Sequence, residues 1–185
     1  MTATRLLTSC AVALSLGGVA SANVVVEDFV DFPGINSYGG NWVDQGDTTE
    51  YRIVGNGWGG GFYDVDPNVD AGLNRTAQLT LTVNSYDEPT GAGLGIWLGI
   101  ATEKPGGVDE NFQGSYGVLP GLNVLTFEIP EHMDVTAITF FHLQIDPGTN
   151  TANVYDVSFQ EIAFTPEPGS AALLALAGVG LIRRR

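Results

Sequence analysis

Cysteine is almost missing: one residue, Cys10, in a chain of 185, so no disulfide framework can staple this protein. Histidine is nearly as scarce. His132 and His142 are the only two, and neither stands in a His-x-His or His-Glu-x-x-His spacing that would ligate zinc. Positive charge is equally thin, with 7 Lys and Arg against 21 Asp and Glu and a formal net charge of −14. That deficit excludes nucleic acid as a partner, because phosphate binding needs a basic face. No Gly-x-Ser-x-Gly elbow occurs, and the glycine-rich run 55–61 is followed by no lysine and opens no helix, so it is no phosphate loop. Between residues 23 and 165 no helical stripe of apolar residues appears.

What is present divides into three parts: a leader (1–22), a middle domain (23–165) and a tail (166–185). In the leader, Arg5 precedes an apolar run over 6–19, and Ala20-Ser21-Ala22 forms a small-residue cleavage site. This predicts a signal peptide cut between Ala22 and Asn23, a cut that also removes Cys10. A competing lipoprotein signal, Leu7-Thr8-Ser9-Cys10, would have only Leu6 and Leu7 as its apolar stretch. The tail reads Pro166-Glu167-Pro168, an uncharged apolar run over 169–182, then Arg183, Arg184 and Arg185. A helix over that run reaches roughly 21 Å, short of a hydrocarbon core of about 30 Å. The arginines would hold its end on the cytoplasmic side, leaving the domain outside. Triplet, apolar stretch and arginine cluster together resemble the bacterial PEP-CTERM sorting signal. That resemblance implies a membrane-embedded sorting protease, an exosortase, as partner, with the Pro-Glu-Pro triplet as its recognition element.

Without leader and tail the domain carries about 20 carboxylates against three bases, Arg52, Arg75 and Lys104. Such a surface repels anionic membranes, favours solubility and attracts cations, calcium among them. Strand patterns dominate. Residues 77–83 alternate cleanly, with Ala77, Leu79, Leu81 and Val83 on one face and Gln78, Thr80 and Thr82 on the other. Further strands are predicted over 24–32, 49–54, 123–129, 137–145 and 154–164, and the apolar stretch 94–100 suits a central strand covered on both faces, with Trp97 in the core. Turn chemistry at 87–91, 104–107, 120–121 and 146–148 separates them. Seven or eight short strands in a domain of this size predict an all-β, antiparallel β-sandwich.

The strand beginning Val26-Glu27-Asp28-Phe29, the run 122–129 after a Pro-Gly turn and the final 154–162 also resemble jelly-roll sandwiches of the galactose-binding-like and carbohydrate-binding-module class. That resemblance implies adjacent first and last strands, with acids at their ends holding a structural calcium; the residues carried over are Glu27, Asp28 and Asp156. A second calcium candidate comes from the residues themselves. Asp64, Asp66, Asn68 and Asp70 place oxygen ligands at alternate positions of an expected loop, although Val69 and Arg75 replace the glycine and glutamate an EF-hand would require.

Aromatic residues Tyr38, Trp42, Trp58, Phe62 and Tyr63 crowd in and beside a glycine-rich stretch outside any strong strand pattern. Sugars offer flat C–H faces that stack on such rings, and Trp42, Trp58 and Tyr63 are the candidate ligand contacts. Small sandwiches also use Trp to fill the ends of their cores. The sequence favours an exported, non-catalytic surface or matrix protein with glycan as a partner and no cofactor assured beyond the calcium candidates. The alternative is a small secreted glycoside-active enzyme using two of its many carboxylates.

Overall fold

The computed structural model describes residues 23–30, 36–44, 48–53, 58–86, 93–104, 107–146 and 155–166. Ala20 and Ala22 of the leader, Glu167, Pro168 and the three arginines of the tail lie outside the described residues. Those described form strands and turns: β1 (Val24–Glu27), β2 (Asn36–Tyr38), β3 (Gly40–Asp44), β4 (Thr49–Ile53), β5 (Gly59–Val69), β6 (Thr76–Tyr86), β7 (Leu94–Lys104), β8 (Gly107–Val118), β9 (Gly121–Glu128), β10 (Ile138–Asp146) and β11 (Tyr155–Thr165).

Two antiparallel sheets stack as a β-sandwich. Sheet A runs β3-β4-β11-β6-β9, with β1 also on β11; sheet B runs β2-β5-β10-β7-β8. Only the β3–β4 and β7–β8 connections stay within one sheet; every other passes from one sheet to the other. The first and last strands lie together, Val24 opposite Phe164. At Gly39 the chain leaves sheet B for sheet A with a φ of 70°, and a Cβ there would come within 2.7 Å of the Trp58 carbonyl, so glycine is required.

Binary pattern explains the interior. Ala77, Leu79, Leu81 and Val83 of β6 point inward and are fully buried, as their alternation predicts. They meet Leu94, Ile96, Leu98 and Ile100 of β7, Phe141, Leu143 and Ile145 of β10, and Tyr155, Val157 and Phe159 of β11 in one core. Each fully buried Leu, Ile or Phe contributes roughly 1.5–3 kcal/mol. Tyr51 crosses the sandwich: it is buried on β4, and its hydroxyl donates to the Tyr38 carbonyl of sheet B at 2.6 Å.

The stretch 59–69, expected as glycine-rich coil followed by an acidic loop, is instead a strand. Its glycines pair by backbone with β10, Gly59 to Ile145 and Gly61 to Leu143. The acidic part is a bulge rather than a free loop: Asp64 pairs with Phe140 and Val69 with Ile138, so residues 65–68 face Thr139 alone. Pro67, which has no N–H to offer a ladder, sits in that bulge.

Candidate functional site

Outward positions of sheet B carry rings where solvated strands usually carry polar side chains. β8 inverts the ordinary pattern: Phe112 and Tyr116 are exposed on the outer face, while Asn111 and Gln113 turn inward and donate to the Glu128 carbonyl of β9. On β7 the outward Trp97 alternates with the core residues Ile96 and Leu98, so its indole lies on the outer face and not in the core as the sequence suggested. β10 contributes Phe140, His142 and Gln144; β5 contributes Phe62 and Asp64; β2 contributes Tyr38. Trp58, more than half exposed, meets Tyr38 edge-on at 5.3 Å.

Register arranges these residues in rows across the strands. One row runs Phe62, His142, Gly99, Phe112; the next runs Tyr38, Gly60, Gln144, Trp97, Gly114; a third runs Asp64, Phe140, Ala101, Glu110. Successive rows are roughly 7 Å apart along the strands. Glycines make the rows possible. A Cβ on Gly114 would run into the Trp97 indole, and one on Gly99 would lie 2.8 Å from the His142 Cβ and 3.0 Å from the Phe112 ring. The rings therefore lie down over bare backbone and form a platform.

His142 is its centre. Its imidazole is sandwiched between Phe112, stacked at 4.5 Å and 10°, and Phe62 at 4.2 Å. Nε2 lies 2.6 Å from the Tyr38 hydroxyl and Nδ1 lies 3.6 Å from Glu110 Oε1. The Tyr38 hydroxyl also lies within 3.2 Å of Gln144 Oε1. Burial holds the imidazole below its ordinary value of 6.5, against an upward pull from Glu110. Burial likewise pushes the Tyr38 hydroxyl up to about 12. Trp97 extends the rings toward Phe112 at 5.1 Å and Tyr116 at 5.7 Å. Beyond Phe140, which stacks on Phe62, an open cavity of about 420 Å³ is lined by Phe140, Thr139 and the carboxylates Asp64, Glu103 and Glu110.

The sequence candidates divide. Trp58 joins the platform. Tyr63, the next residue but one to Gly61 on β5, packs against the core instead, where burial and the neighbouring Glu27 push its hydroxyl up to about 12. Trp42 stands on β3 of the opposite sheet, and its side chain is outside the described residues. The calcium candidates are not gathered. Glu27 is buried and accepts the Phe29 N–H at 2.7 Å, bracing a residue with φ 56°. Asp28 accepts the Val30 N–H. Asp156 lies six residues along β11 from Ile162, the partner of Glu27, a separation of roughly 20 Å. Asp64, Asp66 and Asn68 are exposed along β5, and Asp70 accepts the Gly72 N–H at 2.7 Å. Among the described residues no three His, Cys, Asp or Glu side chains are placed to hold a metal ion.

No protein-family model and no curated protein matches this chain. Solved structures do. The family 11 carbohydrate-binding module of a cellulosomal cellulase of Clostridium thermocellum superposes with a TM-score of 0.53 at 13% identity, covering 80% of this chain and 96% of the module. A family 11 module from Clostridium thermocellum in complex with a β-1,3-1,4-mixed-linked tetrasaccharide gives 0.52 at 13% identity, covering 78% and 95%. An agarase gives 0.54 at 10% identity over 79% of this chain and 25% of the enzyme. The likeness is one of fold. Phe112, Tyr116, Phe140 and the outward turn of His142 escaped the sequence, because Gly99 and Gly114 lie opposite aromatic positions only once the strands are paired.

Proposed function

We propose that this chain is an exported, non-catalytic glycan-binding protein whose ligand lies along the outer face of sheet B. The observation that carries this function is the set of outward rings, Tyr38, Trp58, Phe62, Phe112, Trp97 and Tyr116, of which Trp97, Phe112 and Tyr116 lie against the glycines Gly114, Gly99 and Gly95. A flat, rigid aromatic surface offers stacking area at little conformational cost, and Gln144, Glu110 and Asp146 supply acceptors for hydroxyl hydrogens around it. The shared fold of modules described as carbohydrate-binding supports the same conclusion. The face is edged by Asp64, Glu103, Glu110 and Asp146 in a chain of net charge −14, so the ligand is uncharged or cationic rather than a uronate or sulfated polymer.

The leader and the Pro166-Glu167-Pro168 tail support export, handling by an exosortase-type protease, membrane contact through the tail and retention at the cell surface or in matrix. Terminal peptide mapping of protein from the native cell surface tests this part. A chain beginning at Asn23 and cut near the Pro-Glu-Pro triplet fits; a chain still ending in Arg185 leaves the tail a permanent anchor, and one beginning at an acylated Cys10 is a lipoprotein. Affinity electrophoresis against a polysaccharide panel tests the binding. Retention without new reducing ends supports a binder. New reducing ends that vanish on Glu103→Gln or Glu110→Gln would favour the enzyme, since these carboxylates line the open cavity beside Phe140.

A further inference from the structure

His142 has more interactions than a platform ring needs. Both faces are covered by phenyl rings, and both nitrogens are addressed, Nδ1 by Glu110 and Nε2 by the Tyr38 hydroxyl. At 3.6 Å the Glu110 carboxylate is at ion-pair rather than hydrogen-bond distance, and its negative charge favours the neutral tautomer with the proton on the facing nitrogen, Nδ1. Nε2 is then a bare acceptor, and the Tyr38 hydroxyl gives it its one hydrogen at 2.6 Å. Gln144 Oε1, 3.2 Å away, is the second acceptor within reach of that same hydroxyl, so the one hydrogen of Tyr38 is contested between Nε2 at 2.6 Å and this oxygen, and when the shorter contact takes it the amide oxygen is released to the outer face.

Protonation reverses this arrangement. With hydrogens on both nitrogens, Nε2–H donates to the Tyr38 oxygen, and the Tyr38 hydrogen turns to Gln144 Oε1. One acceptor on the face is thereby occupied, and the imidazolium completes an ion pair with Glu110. We propose, on the basis of the glycan-binding function above, that His142 is the positioning residue of this face: its protonation state sets the direction of the Tyr38 hydroxyl and thereby whether the Gln144 carbonyl is open to a ligand hydroxyl. Acid closes that acceptor and places a charge under a ligand that would have to desolvate it, so binding weakens as pH falls.

The charged and titratable groups that bear on this centre are few. Tyr38 faces it from β2, Asp64 from β5, Glu103 from β7 and Glu110 from β8, with Asp146 further along β10 itself. Tyr38 stays neutral throughout the range concerned, since its hydroxyl titrates near 12. The carboxylates other than Glu110 lie a full row or more away from the imidazole. Sign follows from burial: the imidazole loses its proton more readily than a free one, so the neutral, open form prevails at neutral pH and the change falls below 6.5.

The test uses the full chain in a zwitterionic detergent, because glycosidic detergents would compete, with soluble β-1,3-1,4-mixed-linked glucan as the probe. Affinity is expected to fall about fivefold between pH 7.5 and pH 5, the size of effect that one hydrogen bond carries. His142→Gln, uncharged at every pH, flattens the profile. Glu110→Gln removes the upward pull on the imidazole and moves the drop to more acidic pH, a shift that a merely structural role for either residue would not produce. Imidazole ¹⁵N shifts, read without ligand, should report the Nδ1–H tautomer at pH 7.5. Binding that is flat with pH in the unmodified chain, or an Nε2–H tautomer, overturns the proposal and leaves the glycan-binding function standing. Absence of binding at every pH, to this glucan and to every neutral polysaccharide of the panel, overturns both.

Discussion

The two sheets bury equivalent inner faces and present opposite outer ones. On sheet A the outward residues of β6 and β11 include Gln78, Thr80, Thr82, Asn84, Ser158 and Gln160, and several satisfy one another: Asn84 donates to Ser158 at 2.6 Å and to Asp156 at 3.1 Å, and Gln160 donates to Thr82 at 2.9 Å. The exposed apolar side chains beside them, Val25 on β1 and Leu122 and Val124 on β9, are aliphatic and carry no ring. Along β6 and β11 this outer face is made for water, with β-branched and amide side chains that suit a pleated surface. Sheet B has the same alternation and the same register regularity, but rings take the place of threonines and glycines make room for them. Nothing in the packing of the sandwich requires that substitution, because the core lies on the other side of the strands. The difference between the faces, and not the fold, is what points to a ligand.

Removing the rings should break the contrast most strongly. Trp97→Ala combined with Phe112→Ala is expected to lower affinity for the glycan retained on the polysaccharide panel about a hundredfold or more, the loss of two stacking surfaces at once. Thr80→Ala with Thr82→Ala on sheet A should change it less than about twofold. Isothermal titration of both doubles against the parent checks this, with thermal melts confirming that each variant is folded.

Crowding the rings is the next step down. Gly99→Ala places a Cβ 2.8 Å from the His142 Cβ and 2.9 Å from Glu110 Oε1. Overpacking of this kind costs about 1–3 kcal/mol of stability, and the displaced imidazole and Phe112 should reduce affinity about tenfold. Chemical denaturation and titration of the same variant read both effects.

Alkali separates the faces more gently. Tyr38 and Tyr63 both ionise near 12 instead of the ordinary 10.0, because burial disfavours the phenolate. A folded-state value above the unfolded one means that their contribution is complete below pH 10 and is lost as pH rises from 10 to 12. Denaturant midpoints measured across that interval should decline, and Tyr38→Phe should decline less steeply.

The smallest effect is expected from calcium. Glu27 is committed to the Phe29 N–H and Asp156 is roughly 20 Å away along β11, so the two do not share an ion. Melting temperature is predicted to differ by less than about 2 °C between calcium and a chelator, well under the shift a tightly held structural ion would give.

Legibility followed the physics of each element. The core strands were readable because burial imposes a period of two: β6 displays it as Ala77, Leu79, Leu81 and Val83, all inward. The apolar stretch of β7 was correctly expected to be covered on both faces, but the cover on the outer side is the platform itself, with Trp97 lying over Gly114. β8 was missed because its pattern is inverted, polar inward and aromatic outward, and an edge strand is not constrained by the core to do otherwise. β5 was missed because its glycines carry no side-chain pattern, although their backbone pairs as well as any other. Trp58 stands out in the sequence by its place in a glycine-rich stretch, and the structure sets it edge-on to Tyr38. Tyr63, one position out of phase with the outward Phe62 and Asp64, is distinguishable from Phe62 only once the register of β5 on β10 is known. Acids that look like a ligand set in sequence were separated by strand register, which no local pattern encodes.

The most direct measurement is a ¹⁵N–¹H titration of the full chain at pH 7.5 with the soluble neutral polysaccharide that the affinity panel retains most strongly. Shifts confined to sheet B, strongest at the indole N–H of Trp97, the side-chain amide of Gln144 and the backbone of residues 112–116, are the predicted result. Shifts centred on the Thr80, Thr82 and Ser158 face of sheet A, or no shifts with any neutral polysaccharide, would contradict the assignment of the aromatic platform as the glycan site.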